Sequence, residues 1–553
     1  MILHQKSFAL LFLLILATSS AFAQLIRFQK TIGGFRNEET YRLRITSDGG
    51  FIIVGTTTSS GEGLTDIYLV KTDSDGNVQW VKTHGGTGKD WGRYVEQTSD
   101  GGYIITGFTE SFGAGSQDVI LLKTDSTGDF MWAKTFGGPN FERGYCVRET
   151  PEGDYLIAGF TESFGAGSSD AYVIKCNSVG DSIWTKTFGG ITFDQVLYAE
   201  FTYDGKYIFS GRTNSFGAGQ TDVYLIKTDT SGTILWQKTY GDYDWEEGYT
   251  VMETPDTNYI IHGRTVSNTA GGSDVYLLKV DRYGTALWAK SYGGAEWEAS
   301  FDMDITQDGG YILCGYTESF GPLLSDEPNV NGPEGSDSSQ MWLIRTDING
   351  DTLWSRQYGG FLKDEGFAVR ALSDGGFIAM GIERSFGVDS FDCHLVRTDS
   401  MGISGCHEKR THPIVKNAIV IDSISATIIN TGNTIGNAAY TSGSPNFKDS
   451  TLCSDSLPVT VPNYSSLEPS INIFPNPFSH SATVQISLEQ NISEDIQVRI
   501  YDIFGRKVQE FTADGHTGYI EFELKRTNLY KGLFLLNIST NGAIIAATKV
   551  LVN

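Results

Sequence analysis

Hydrophobic and polar residues in this chain fall into short blocks, and no segment beyond the first 23 residues shows a convincing 3.6-residue period. The blocks recur in sets of four, as in RYVEQTS (93–99), GYIITGFT (102–109), DVILLKT (118–124) and FMWAKT (130–135). The two middle blocks are almost continuously apolar, which is typical of strands covered on both faces. Asp100-Gly101-Gly102 separates the first two blocks and favours a tight hairpin turn. The pattern predicts an all-β protein.

The sets of four blocks repeat along the chain. The glycine that follows the last block of a set recurs every 52 residues, at Gly33, Gly85, Gly137, Gly189, Gly241 and Gly293. The next step, to Gly359, is 66 residues long, so 14 residues are inserted within 322–339, a stretch with the composition of a loop. Four strands per unit in seven units indicate a seven-bladed β-propeller, with an open solenoid as the alternative.

The N-terminal block decides between a closed ring and a solenoid. The seventh unit lacks its last strand, because Cys406 stands where the other units have Trp. The missing block is present as LIRFQKT (25–31), in which Phe28 is in register with those Trp residues. We therefore predict a propeller over residues 24–411 that is closed by its N-terminal strand, which leaves no open sheet edge at the junction.

Composition and the N-terminal segment limit the binding partners and the cellular compartment that the protein can have. The chain has 553 residues with 66 Asp and Glu against 41 Lys and Arg, a net charge of −25. This acidity argues against nucleic-acid binding and against docking on anionic lipid. Residues 1–23 combine a short apolar run with Ala21-Phe22-Ala23, which is typical of a secretory signal peptide; a membrane anchor is the alternative. In an oxidising compartment Cys406 and Cys453, which bracket a non-repetitive segment, are the candidate disulfide.

Seven acids recur at one position of the repeat, on the connection between blades: Glu38, Asp90, Glu142, Asp194, Glu246, Glu298 and Asp364. There they would ring one mouth of the central channel, on the face that also carries the longer loops, and Trp245 and Trp297 precede two of them. One hypothesis is that this face binds a cation-bearing or glycan ligand through the acids and aromatic residues. The alternative is that each carboxylate caps backbone amides. No cofactor is predicted, although the acids leave Ca²⁺ possible.

Catalytic motifs give little support for an enzyme. A catalytic site needs different groups in different roles, whereas the units differ mostly in loop length, and no Ser-His-Asp, His-Glu-x-x-His or phosphate-loop pattern occurs. We expect a binding or interaction module that acts as a monomer. A surface polysaccharide hydrolase or lyase, with a carboxylate-based site on the long-loop face, is the alternative.

The C-terminal part has a different composition. Residues 412–470 are expected to be a spacer and linker with short β segments, and residues 471–553 contain enough alternating strands for a small β-sandwich. The last segment resembles the type A C-terminal sorting domain of the type IX secretion system of Bacteroidetes-like bacteria. The matching residues are Pro475, Asn476, Pro477, Gly505, Gly532 and Lys549. The propeller units resemble the seven-bladed repeats of secreted bacterial proteins, a likeness of architecture rather than activity.

The resemblance implies a route and partners. It implies export from the cytoplasm, passage of the outer membrane directed by residues 471–553, and removal of that domain by a sorting peptidase. The protein would then be released or held on the cell surface by lipopolysaccharide. Its expected partners are the secretion machinery, the peptidase and an unidentified glycan or protein ligand. A generic adhesive immunoglobulin-like domain is the alternative for residues 471–553.

Overall fold

The computed structural model describes most of the chain. The described residues are 26–321, 339–386, 390–418, 420–423, 427–429, 434–437, 441–443, 448–454, 470–474, 481–487, 496–502, 507–513, 519–525, 532–540 and 543–552. The predicted leader at 1–23 and most of the predicted insertion at 322–339 lie outside them. The chain divides into two units, Met1–Leu457 and Pro458–Asn553, which are described separately.

The first unit is a seven-bladed β-propeller. Its described residues contain seven five-stranded sheets, and four strands of each come from the repeat. The repeat strands are β1 (Phe28–Gly33), β2 (Glu38–Ile45), β3 (Phe51–Thr57), β4 (Asp66–Thr72), β5 (Val78–Gly85), β6 (Asp90–Gln97), β7 (Tyr103–Thr109), β8 (Asp118–Thr124), β9 (Phe130–Gly137), β10 (Glu142–Glu149), β11 (Tyr155–Thr161), β12 (Asp170–Cys176), β13 (Ser182–Gly189), β14 (Asp194–Phe201), β15 (Tyr207–Thr213), β16 (Asp222–Thr228), β17 (Ile234–Gly241), β18 (Glu246–Glu253), β19 (Tyr259–Thr265), β20 (Asp274–Val280), β21 (Ala286–Gly293), β22 (Glu298–Ile305), β23 (Tyr311–Thr317), β24 (Gln340–Thr346), β25 (Thr352–Tyr358), β26 (Glu365–Ala371), β27 (Phe377–Glu383) and β28 (Asp392–Thr398). The prediction of an all-β propeller is confirmed.

Each blade runs from the channel outward. In blade 2 the order is β6, β7, β8 and β9, and every residue of β7 and β8 is buried, as their continuous apolar character predicted. Tight turns join β6 to β7 and β8 to β9 at one face of the ring, and Gly101 in the first of them has a φ of 83°. The longer loop between β7 and β8 and the connection to the next blade lie at the opposite face, which we call the long-loop face.

The N-terminal strand closes the ring as predicted. Strand β1 pairs antiparallel with β28, so that blade 7 is built from both ends of the repeat region. Phe28 is 1% exposed, and a Cβ placed on Gly76 of blade 1 would lie 2.5 Å from its ring. Trp80 makes the equivalent contact, 2.6 Å, with a Cβ placed on Gly128. Phe28 therefore seals blade 7 against blade 1 as the Trp residues seal the other junctions.

A fifth strand on each blade comes from the segment after the repeats. These strands, which we call the belt, are β29 (Glu408–Thr411), β30 (Ile414–Asn417), β31 (Ile421–Ser423), β32 (Thr427–Ile429), β33 (Thr434–Asn437), β34 (Thr441–Gly443) and β35 (Lys448–Ser454). They pair in turn with β25, β21, β17, β13, β9, β5 and β1. The belt therefore visits blades 6, 5, 4, 3, 2, 1 and 7, in the sense opposite to the repeats.

The belt gives the expected spacer a role in the propeller. Of the residues 412–470, which were expected to be a spacer with short β segments, the strands up to Ser454 are paired to the blades. Cys406 and Cys453 are joined in the predicted disulfide, with their Cα atoms 6.3 Å apart and a sequence separation of 47. Because Cys406 precedes the belt and Cys453 lies in its last strand, the disulfide closes the belt into a hoop around the ring.

The second unit is the small C-terminal domain. Its strands are β36 (Ser470–Phe474), β37 (Ser481–Ser487), β38 (Ile496–Asp502), β39 (Lys507–Ala513), β40 (Tyr519–Lys525), β41 (Gly532–Thr540) and β42 (Ala543–Val552). They form two antiparallel sheets, β36-β37-β40 and β39-β38-β41-β42. Both sheets contribute buried apolar side chains: Val484, Val498, Ile500, Leu524, Phe534 and Leu536. Two sheets with a shared apolar character fit the predicted β-sandwich.

Candidate functional site

The seven recurring acids lie inside the protein. Each is at most 1% exposed, and each accepts a hydrogen bond of 2.6–2.9 Å from the backbone N–H four residues before it. A threonine hydroxyl of the same blade also donates to several of them, as Thr161 does to Glu142 at 2.8 Å. These carboxylates therefore cap backbone amides in the connections between blades, as the alternative hypothesis expected. Ligand contact through these acids stays an untested prediction.

The two tryptophans singled out in the sequence remain at the surface. Trp245 is 39% exposed and Trp297 is 48% exposed, both on connections at the long-loop face. The indole N–H of Trp245 donates to Glu247 Oε1 at 3.0 Å. Isolated parallel β-bridges pair the backbone of Trp245 with Thr221 and that of Trp297 with Ser273. The structure thus places these two side chains on the predicted face, in contact with solvent.

A β-bulge interrupts the innermost strand of every blade, three residues after the recurring acid. In β6, for example, the register shifts between Gly92 and Tyr94, which leaves Arg93 unpaired in the strand ladder. A bulge redirects the side chain of its extra residue. The bulged residues are Tyr41, Arg93, Tyr145, Leu197, Tyr249, Phe301 and Phe367. Five of these seven side chains are aromatic.

These seven side chains converge on one cavity in the channel. The cavity has a volume of about 330 Å³ and is lined by the bulged residues together with Arg42, Tyr94, Tyr198 and Arg212. The aromatic rings form a continuous arc in the order Tyr249, Phe301, Phe367 and Tyr41. Successive ring centroids along this arc lie 5.7, 4.9 and 5.8 Å apart.

Arg93 stands out among the cavity residues. Its guanidinium carbon lies 4.1 Å from the ring centroid of Tyr41 and 5.0 Å from that of Trp91. Within the described residues Arg93 has no ion pair, and its Nε is buried without a hydrogen-bond partner. Arg42 and Arg212 differ, because Asp302 and Glu247 respectively pair with them. One guanidinium in the cavity is therefore held by aromatic faces alone.

Further along the innermost strands, buried charges fill the channel. Asp302 lies 2.9 Å from Arg42 and 2.5 Å from Arg370, and it is fully buried. Burial alone would raise the pKa of Asp302, but the charges of Arg370 and Arg42 hold it below its usual value. Arg148 pairs with Glu96 and Glu200 in the same way, at 2.9 and 2.7 Å.

Contacts across the channel close it below the cavity. Arg44 of blade 1 donates to the hydroxyl of Tyr198, which belongs to blade 4, at 3.1 Å. The guanidinium of Arg42 lies 4.9 and 5.1 Å from the ring centroids of Tyr94 and Tyr198. Side chains from opposite sides of the ring therefore meet, and the cavity is a recess with a polar floor.

The sequence did not predict the bulged residues or the ion pairs inside the channel, such as that of Asp302 with Arg42. Recurrence in every unit singled out the seven acids, and these carboxylates are buried and accept hydrogen bonds from backbone N–H groups. The signal lay three residues after each acid, where seven units carry Tyr, Arg, Leu or Phe while the acid itself hardly changes. Among the described residues, no three His, Cys, Asp or Glu side chains are grouped so that they could hold a metal ion.

A family model matches the C-terminal unit: the secretion system C-terminal sorting domain matches residues 472–553. The chain carries a sorting domain. This domain is the signal of the type IX secretion system, so the protein is exported through that system to the cell surface or the medium, and it interacts with the secretion machinery. Within the part of the chain that the structure describes, no helix has the length and apolar character needed to span a membrane.

The described strands place two residues of the sorting motif. Gly532 begins β41, and Lys549 lies in β42 opposite Leu535. Phe534, two residues after Gly532, is 1% exposed in the domain core. Pro475, Asn476, Pro477 and Gly505 lie outside the described residues. Cleavage of the predicted leader remains a prediction.

Comparisons with other proteins give no specific function. The chain is 26% identical over 240 residues to "Regulatory protein FlaEY" of Caulobacter vibrioides, covering 39% of this chain and 24% of that protein. It is 22% identical over 410 residues to "Uncharacterized WD repeat-containing protein L264" of Acanthamoeba polyphaga mimivirus, covering 54% of this chain and 30% of that protein. The chain thus spans less than a third of either relative. The crystal structure of a puromycin hydrolase mutant complexed with PGG aligns over 81% of this chain and 58% of its own, with 11% identity and a TM-score of 0.38.

Proposed function

We propose that this exported propeller is a binding module whose central cavity on the long-loop face takes a saccharide. The observation that carries the proposal is the bulge in all seven innermost strands, which directs one side chain per blade into a single recess. Aromatic faces with a few polar groups are the usual lining of a small-ligand site, and the volume of about 330 Å³ falls in the usual range of about 300–1,000 Å³.

The location of the exported protein supports a saccharide ligand in preference to a soluble metabolite. The sorting domain takes the protein to the cell surface or the medium, where polysaccharides are abundant. The aromatic arc offers flat apolar faces against which a sugar ring can pack, while tyrosines and arginines offer hydrogen bonds to its hydroxyl groups. The closed floor of buried polar side chains admits the end of a sugar chain and not a strand threading the channel.

Binding is tested by calorimetric titration of the purified chain with a panel of oligosaccharides. In the Phe301→Ala variant we expect at least tenfold weaker binding, because Phe301 stacks at the centre of the arc. The control is Met131→Ala, an exposed apolar side chain on the outer strand β9. Equal affinities of the two variants would contradict the assignment of the cavity. Release of shortened or unsaturated products during titration would favour the hydrolase or lyase alternative.

Export is tested by deletion. Removal of residues 471–553 should leave the propeller in the periplasm, because the sorting domain directs passage of the outer membrane. Immunoblotting of periplasmic and surface fractions measures this. The belt and its disulfide precede the deletion, so the propeller should remain folded. Unchanged surface display of the truncated chain would contradict the proposed role of the domain.

A further inference from the structure

The charge of the cavity contrasts with the charge of the protein. The chain has a net charge of −25, yet the cavity is lined by three arginines, and none of its described lining residues is Asp or Glu. Two of these arginines have a carboxylate partner, Arg42 in Asp302 and Arg212 in Glu247. Each of these carboxylates also pairs with a second arginine, Arg370 and Arg264 respectively. The third arginine, Arg93, forms no ion pair among the described residues, and its buried Nε has no hydrogen-bond partner. Arg93 is therefore the lining arginine without a paired carboxylate.

The surroundings of Arg93 fix its orientation without neutralising it. Its guanidinium lies over the rings of Tyr41 and Trp91, at 4.1 and 5.0 Å from their centroids. Contact with aromatic faces leaves the in-plane N–H groups of a guanidinium free to donate, and two of these N–H groups match the spacing of a carboxylate. A charge kept in a partly buried site without a counter-ion is stabilised when an anion arrives.

We propose that the cavity binds an acidic sugar at the end of a saccharide, with the sugar carboxylate on Arg93 and the sugar ring against the aromatic arc. This inference rests on the proposed function. A simple anion would need the arginine but not the arc formed by Tyr249, Phe301, Phe367 and Tyr41. A neutral sugar would need the arc but not an unpaired cation. The cavity provides both, and its small volume limits the ligand to a chain end.

The experiment compares charged and uncharged forms of the same sugar. The purified chain is titrated calorimetrically with trigalacturonate and trimannuronate, and with their methyl esters, which differ from the acids in that their carboxyl groups carry no charge. We expect the better-bound acid to bind at least tenfold more tightly than its ester, as a charge-assisted pair of hydrogen bonds is lost. The difference should shrink as salt is raised. This comparison needs no variant and so does not depend on how a substitution folds.

Two variants then test whether Arg93 causes the difference in affinity between acid and ester. Arg93→Gln should weaken binding of the acid at least tenfold and leave the affinity for the ester unchanged. The matched control is Arg282→Gln, an exposed arginine on a tight turn that contacts Tyr283, and it should behave as the unmodified chain. Competition by sodium acetate at the same concentration as the acid sugar should be negligible.

The outcomes separate this inference from the proposed function. If acid and ester bind equally, or if Arg93→Gln leaves the preference for the acid over the ester intact, the proposal of an acidic sugar is wrong. The proposal of a saccharide site in the cavity then still stands. If acetate displaces the bound uronate as effectively as free uronate does, the site recognises an anion alone. The proposal that it binds a saccharide is then wrong. If neither acid nor ester binds, both proposals fail.

Discussion

Replacing Asp302 by Asn should strongly destabilise the propeller. Asp302 lies on β22 in blade 6, while its partners Arg42 and Arg370 lie on β2 in blade 1 and β26 in blade 7. It also accepts the backbone N–H of Val369 at 3.1 Å. A single buried carboxylate thus joins three blades around the point where the ring closes. Asn keeps the shape of the side chain but removes the charge that compensates two buried guanidinium groups.

The size of the effect follows from burial. Removal of one partner from a buried ion pair costs about 3–5 kcal/mol, because the other charge is left without compensation. Asp302 is fully buried, so the upper part of this range is expected. The control is Asp351→Asn, which breaks a pair with Lys290 in which the Asp351 side chain is 70% exposed. Such a surface pair contributes at most about 1 kcal/mol.

Urea denaturation followed by tryptophan fluorescence measures both variants. The free energy of unfolding should fall by at least about 3 kcal/mol for Asp302→Asn and by no more than about 1 kcal/mol for Asp351→Asn. Losses of equal size would refute the claim that buried charge, rather than the general sensitivity of blade 6, explains the result. An unaltered slope of unfolding against urea would show that the same surface is exposed in each case.

Three further predictions concern the hoop, the caps and pH. Replacing Cys406 and Cys453 by Ser should lower the unfolding free energy by about 4 kcal/mol, the loop-closure value for a sequence separation of 47; an unchanged urea midpoint would contradict it. Glu246→Gln and Glu298→Gln should lower the melting temperature without changing saccharide affinity, since both carboxylates accept backbone hydrogen bonds; weaker binding at an unchanged melting temperature would restore the ligand role predicted from sequence. Burial raises the pKa of Asp392 to about 7, so its stabilising contribution is complete below about pH 4 and is lost as the pH rises through 7. Melting temperatures from pH 4 to 8 should therefore fall less in Asp392→Asn than in the unmodified chain, and parallel curves would argue against this.

The repeat made most of the fold predictable. The step of 52 residues, the four blocks per unit and the register of Phe28 with the Trp residues led to seven blades and to their closure, and the structure confirms both. The belt could not be predicted in the same way. Its strands in blades 1–6 pair over three or four residues each, too short for a periodic pattern, and they follow no 52-residue step.

Of the cavity, the sequence predicted the face of the propeller but not the residues that line it. The long-loop face was expected to carry it, but recurrence drew attention to acids such as Glu142, and a side chain that recurs in every unit serves what all blades need, namely capping. The cavity depends on Arg93 and its neighbours, whose identity differs between blades. Whether such a side chain enters the channel is decided by a bulge. The sequence signal for that bulge is the glycine that faces it on the next strand of every blade, such as Gly55 and Gly107, where a Cβ would collide with the bulged backbone.

The belt gives the ring two independent circuits of backbone. The repeats pass through the seven sheets in one direction, and the belt returns past the same sheets in the other. A single cut between two neighbouring sheets therefore severs one circuit and leaves the other spanning the gap. Outside the cell, where proteases meet exposed loops, one nick would not free any sheet from the assembly. Loss of a sheet would need a second cut in the opposing circuit near the same place.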